Sequence, residues 1–300
     1  MKGWDPQVVA HLTARLCADA RLPAPGRREP LGVWALSCVE RVHLDDGGTV
    51  IVKCARPPFR NEYRAIMLAA DRGIPVPTVL ATIAYEAVIA MLLTDLGPIS
   101  RSTEASDAAL AAAQLHADGP ADGLVDLDET ALRALPDRTL HLLDEGADDD
   151  PSPATEQIRS LLVRLDKMAV KRAADAERPP YGMCHGELHH TAIHIGHAGW
   201  TMLDLATAHN GPGLLDLASW SGTRTPPEPD ALRSLIARYV AAGGHPDAHA
   251  DRGGLPAPVW AAAWHRVCAA EWQLRHAADA EAGLQVAARQ LRTAALLMSP

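Results

Sequence analysis

Two carboxylates seventeen residues apart, Glu187 and Asp204, lie in the stretch 181–220, YGMCHGELHHTAIHIGHAGWTMLDLATAHNGPGLLDLASW. The stretch predicts two short strands, residues 192–195 and 200–204, joined by the turn Gly196-His197-Ala198-Gly199. Glu187 falls on the loop before the first strand and Asp204 ends the second. Phosphoryl transfer needs such a pair. One carboxylate orients or deprotonates the attacking hydroxyl, and the other holds the magnesium ion that bridges the nucleotide phosphates. A His-Gly-acid triplet alone is a weak signal. Followed at this distance by a strand-terminal Asp, a Gly-Pro-Gly turn and Leu-Asp-Leu-Ala, it is much stronger.

The same residues give the region its family likeness. It resembles the aminoglycoside phosphotransferase family of small-molecule kinases, distant relatives of the protein kinases. His185, Gly186, Leu188, His189, Asp204, Gly211, Asp216, Leu217 and Ala218 fall in register with that family's pattern. Four positions depart from it. Glu187 stands where the family usually has its catalytic Asp, Ala192 where it has a metal-binding Asn, and Ala206 and Pro212 replace two further acids.

The resemblance implies an α+β, two-lobed, protein-kinase-like fold: a small antiparallel sheet with a helix in the first lobe and a mainly helical second lobe. It also makes a demand upstream. A lysine should project from the strand after a hairpin, toward the donor phosphates, and a glutamate on the next helix should orient it. Lys53, the only lysine between Lys2 and Lys167, and Glu62, nine residues later, answer that demand. Taken alone, the pair reads more readily as a snorkelling lysine and a glutamate on a solvated helix face. The resemblance further implies a phosphate-covering segment at residues 31–39, with Ser37 able to offer a hydroxyl. Main-chain groups near Leu92, Leu93 and Thr94 would meet the nucleobase. The implied donor is ATP or GTP, with Mg²⁺ on Asp204 and Glu187 acting on the acceptor hydroxyl.

Five histidines, at 185, 189, 190, 194 and 197, crowd this region. Zinc ligation finds little support in their spacing, and Mg²⁺ prefers oxygen to imidazole. In the family reading His185 and His189 brace the loop. His194 falls two residues beyond Ala192, on the same strand face, where the family places an aliphatic residue beneath the base. It can alter nucleobase choice, turn toward the metal position that Ala192 leaves without an oxygen, or be a satisfied core histidine.

The elements that must position these residues are legible in outline. Apolar residues Val8, Val9, Leu12 and Leu16 mark one face of a helix over residues 6–20. Residues 22–30, rich in arginine and proline, break the pattern. Strands are predicted at 39–44 and 49–54 around an Asp45-Asp46-Gly47-Gly48 turn, and at 79–85 and 87–94, with a helix at 60–72 between the two pairs. Beyond Gly97 helices dominate: one starting at a Ser106 cap, then 129–145, 155–176, 229–242, 258–277 and 280–298, with an acidic loop at 148–151. Trp260, Trp264 and Cys268 recur every four residues and read as core. The expected division is residues 1–95 for the nucleotide lobe and 96–300 for the catalytic and substrate lobe.

Composition sets the frame. The chain has 300 residues, of which 48% are hydrophobic and only 4% aromatic, enough apolar surface for a substantial core. A net charge of −9 argues against a nucleic-acid surface and suits a cationic small molecule. No apolar run reaches the length of a membrane span. Five cysteines without metal-ligand spacing read as reduced thiols, and the expectation is a cytoplasmic protein. The expected activity is O-phosphorylation of a hydroxylated small molecule, an antibiotic by the family's reputation. The alternatives are a metabolite kinase of the same fold and, because Ala192 replaces a metal ligand, an inactive nucleotide-binding relative.

Overall fold

The computed structural model describes residues 3–145, 152–277 and 279–299. The acidic loop at 148–151 lies outside them. By its internal contacts the chain forms two compact units. One comprises Met1–Thr103 with Thr191–Ala208, and the other Glu104–His190 with His209–Pro300. Both are discontinuous in sequence, whereas the expected division was a single cut between residues 95 and 96.

The first unit opens with α1 (Pro6–Asp19), whose Asp5 cap accepts a hydrogen bond from the Gln7 amide at 2.8 Å. Next come β1 (Pro25–Val33), β2 (Ser37–Leu44), β3 (Thr49–Ala55), α2 (Glu62–Asp71), β4 (Val79–Tyr85) and β5 (Val88–Thr94). The strands make one antiparallel sheet in the order β1-β2-β3-β5-β4. Period-two alternation divides its side chains between two faces. Cys38, Val42, Val50, Val52, Cys54, Ala90 and Leu92 pack with Val9, Leu12, Leu16 and Cys17 of α1. The intervening residues Val39, Arg41, Ile51, Lys53 and Leu93 line a cavity instead. The segment expected to be irregular, residues 22–30, contributes an edge strand. Its prolines sit where an edge tolerates them, and the register slips between Pro25 and Arg28 and between Pro30 and Gly32.

The second unit begins with α3 (Ala105–His116), α4 (Glu129–Glu145), α5 (Pro153–Ala173) and the short β6 (Tyr181–Cys184). The chain then supplies the first unit with a hairpin, β7 (Ile193–Gly196) and β8 (Gly199–Met202). Main-chain bonds from Met202 N–H to Pro75 O and from Ser100 N–H to Ile195 O, each 2.7 Å, tie this hairpin to its unit. β9 (His209–Pro212) returns to pair with β6, and α6 (Gly213–Ser219), α7 (Pro229–Ala241), α8 (Ala257–His276) and α9 (Ala280–Met298) complete the second unit. Trp260 and Trp264 are core residues there, and both indoles donate to the Arg172 carbonyl, at 2.6 and 3.0 Å. No described helix is long and apolar enough to cross a membrane. All five cysteines are free thiols, four of them buried.

Candidate active site

Lys53 leaves β3 on the face that α1 does not cover and enters a cavity of about 290 Å³. Glu62 on the first turn of α2, His194 on β7 and Asp204 after β8 line the same cavity. Lys53 Nζ donates to Glu62 Oε1 at 2.7 Å and to Asp204 Oδ1 at 2.6 Å. Lys53 is 8% exposed and Glu62 2%. Burial disfavours the Lys53 ammonium, but the charges of Glu62 and Asp204 outweigh it and raise the pKa. Burial also pushes the Glu62 carboxyl up, with Lys53 pulling it back. Asp204 is different in kind. Its backbone is left-handed (φ 60°, ψ 50°), an uncommon conformation for a residue with a side chain, and its carboxylate is 51% exposed. Lys53 and Glu62 thus form a fixed buried pair, and Asp204 offers it an accessible carboxylate.

An ion pair that sequence reasoning missed also lines the cavity. Arg41 Nε donates to Asp95 Oδ2 at 2.6 Å and its second nitrogen to Oδ1 at 3.3 Å, while the Gly97 amide donates to Oδ1 at 3.0 Å. Burial would raise the Asp95 carboxyl, yet hydrogen bonds from Arg41 and Gly97 bring it below its ordinary value. The pair holds the connector of residues 95–97 in place. The surroundings of Leu92, Leu93 and Thr94, the expected nucleobase contacts, differ from one another. Leu92 points into the α1-side core, and its strand is paired on both edges, with Val52 and Ala81. The Thr94 amide donates to Thr78 O. Leu93 and Thr94 line the cavity, as do Asp95, Leu96 and Gly97 just beyond the ladder. Ser37 does not line it. It is buried at the start of β2 opposite Ala55, because residues 31–39 form the tip of the β1–β2 hairpin rather than a loose loop.

In the second unit, Glu187 is exposed on a loop whose backbone is pinned from within. Buried Asp216 on α6 accepts the His185 amide at 2.6 Å and the Gly186 amide at 2.8 Å. The Glu187 amide donates to His185 Nδ1 at 3.2 Å, and Ser219 Oγ donates to Leu188 O at 3.1 Å. His116 Nε2 lies 3.2 Å from Asp216 Oδ2. Burial alone would raise the Asp216 carboxyl. The His116 hydrogen bond and the imidazoles of His116, His185 and His209 hold it down at about 2. Gly213 makes this possible, since a Cβ there would collide with the His116 ring. His116 carried no recognisable signal in the sequence, because its partner is a hundred residues away.

Oxygen ligation suits the first site better than imidazole ligation suits the second. Among the described residues, only His116, Cys184 and Asp216 bring three such ligand atoms together. Their atoms are already used: His116 with Asp216, and the Cys184 thiol with the carbonyls of Gly211 and Gly182. His189, His190, His194 and His197 join no such group. The exposed carboxylate of Asp204 is of the kind Mg²⁺ takes, since that ion commonly uses one or two carboxylates and keeps several waters. Ala192 is wholly buried, outside the cavity lining, and its carbonyl accepts from the Leu203 amide at 2.8 Å.

An antiparallel sheet with a buried Lys–Glu pair, together with a braced His-Gly-Glu loop, defines a protein-kinase-like α+β fold. The chain belongs to the phosphotransferase enzyme family, whose family model matches residues 39–255. It is therefore a phosphotransferase with a hydroxyl acceptor, and its family implies a nucleotide as phosphate donor. In fold it is similar to a choline/ethanolamine kinase family protein from Mesorhizobium loti (TM-score 0.65, 18% identity, covering 92% of this chain and 89% of that one). It is also similar to an aminoglycoside phosphotransferase from Alicyclobacillus acidocaldarius (0.55, 14%, 99% and 95%). A third similar structure is an amicoumacin kinase in complex with AMP-PNP and Ca²⁺ (0.60, 15%, 96% and 93%). A search of curated protein sequences gave no match.

Proposed function

We propose that the protein transfers the γ-phosphate of ATP or GTP to a hydroxyl of a small molecule, and that this molecule is an antibiotic. The observation that carries the reading is Lys53 held between Glu62 and Asp204 in a cavity of ligand size. Lys53 would hold the donor phosphates, and Glu62 would keep its ammonium aimed. Asp204 would hold Mg²⁺, which when bound neutralises charge building on the phosphoryl oxygens. Glu187 would accept the proton of the acceptor hydroxyl or align it. Its extra methylene relative to the family's Asp lengthens its reach by one carbon.

The antibiotic assignment draws on the aminoglycoside and amicoumacin enzymes among the similar folds, and the net charge of −9 suits a cationic acceptor. The choline/ethanolamine kinase likeness supports the second reading, a kinase of an amino alcohol or sugar. A nucleotide-binding relative without turnover is favoured by one residue alone, the buried methyl of Ala192. The test is γ-phosphate transfer from ATP and GTP to a panel of aminoglycoside, peptide and nucleoside antibiotics, with amino alcohols and sugars alongside. Phosphorylation of an antibiotic supports the proposal. Turnover on amino alcohols or sugars alone supports the second reading. Mg²⁺-dependent nucleotide binding without turnover on any acceptor supports the third.

A further inference from the structure

His194 borders the donor cavity with its side chain more than nine-tenths buried, at 8% exposure. Its Nε2 is shut off from solvent and has no hydrogen-bond partner among the described residues. Buried ring nitrogens without partners are rare and want an explanation. A core histidine satisfied by its surroundings is not what the geometry gives. The fold also makes room for this ring. A Cβ at Gly196 would lie 3.0 Å from Nε2 and 3.3 Å from Cδ2, so only glycine there leaves the imidazole undisturbed. That same point is 3.9 Å from the carbonyl of Leu96, a connector residue that lines the cavity with His194. The cross-strand partner of His194 is Thr201, three residues before Asp204.

We propose that His194 selects the nucleobase of the phosphate donor. The proposal rests on reading the Lys53 cavity as the donor site. Adenine and guanine differ in the order of donors and acceptors along one edge. A neutral imidazole has one nitrogen that donates and one that accepts, and its tautomer follows the partner it meets. The torsion about the Cβ–Cγ bond is broad, so the ring has freedom to turn and offer a nitrogen to a base in the cavity it lines. A site that pairs a buried polar group with one base and leaves it unpaired with the other discriminates between the two.

The experiment is calorimetric titration of ATP, GTP and inorganic tripolyphosphate into the wild type, His194→Leu and His194→Gln, with Mg²⁺ present. The ratio of the two nucleotide affinities isolates the base, since ribose and phosphates are common to both. The ratio is expected to move by about fivefold or more in His194→Leu and to move also in His194→Gln, with tripolyphosphate affinity unchanged. An unchanged ratio in both variants, with nucleotide binding intact, overturns the role of His194 and leaves the donor site standing. A folded wild type that binds neither nucleotide nor tripolyphosphate overturns the donor site, and this proposal with it.

Discussion

At the scale of single residues, the account turns on charges that cannot be left alone. Glu62 is buried to 2% exposure, deeper than a glutamate on a solvated helix face would be, and Lys53 is its partner at 2.7 Å. Removing one member of a buried pair leaves the other uncompensated, at a cost of about 3–5 kcal/mol. Lys53→Met should therefore lower both donor affinity and stability. Adding Glu62→Gln should recover much of the stability and none of the activity. Thermal melts of the single and double variants check this, and a Lys53→Met protein that melts like the wild type would mean that the pair is not buried. Glu187 should behave in the opposite way, because its side chain is exposed. Glu187→Gln should keep the melting temperature and nucleotide affinity, while the transfer rate falls about 10²–10⁴-fold, the usual worth of a general base. A fully active Gln variant would move that role to His189 or His190, the neighbouring side chains able to take a proton.

At the scale of elements, positions set by periodicity were readable and positions set by distant partners were not. The Lys53 strand, the Glu62 helix, the Asp45–Gly48 turn and the two-strand hairpin before Asp204 follow from local pattern. β1 was hidden because arginine and proline mask an edge strand, whose neighbour on one side is solvent. The start of α3 was misplaced for a similar reason. Glu104 and Asp107 cap it reciprocally, with the Glu104 amide donating to Asp107 at 2.8 Å, and Ser106 is already inside the helix. Arg41–Asp95 and His116–Asp216 join residues 54 and 100 positions apart, which no window of sequence reveals. The bracing of the Glu187 loop by α6 is the element-level claim that can be measured. Asp216→Ala strips partners from the buried His185 amide, the half-buried Gly186 amide and His116, so it should cost about 3–5 kcal/mol in denaturant unfolding. A loss below 1 kcal/mol would mean that the loop holds its shape without α6.

At the scale of the whole molecule, the chain leaves its first unit at Thr103 and supplies it again with residues 191–208. Glu187 and Asp204 are thus close in sequence yet belong to different units. Composition suggests only a single boundary near residue 95, since the returning hairpin looks like any other pair of short strands. The acid response of stability is also a global property. Asp216 titrates at about 2 when folded and near its ordinary 3.8 when unfolded. Its contribution is therefore complete above about pH 4 and lost as the pH falls toward 2, amounting to about 2 kcal/mol. His265, pushed down to about 4 by burial and by the charge of Arg266, acts at higher pH. A histidine with a lowered folded pKa contributes stability above about pH 6.5 that is lost as the pH falls toward 4. Urea unfolding across pH 7 to 2 should show both losses, and Asp216→Asn should lack the lower one. A wild type equally stable at pH 4 and pH 2 would contradict the Asp216 assignment.

The donor site is tested most directly by titrating ATP and GTP into the wild type and Asp204→Asn, each with and without Mg²⁺. With Asp204 as the metal ligand, Mg²⁺ should tighten wild-type binding of the preferred nucleotide about tenfold or more. Asp204→Asn should lose that enhancement while melting close to the wild type, since the Asp204 side chain is half exposed. A folded wild type that binds neither nucleotide, or a Mg²⁺ enhancement that survives unchanged in Asp204→Asn, would contradict it.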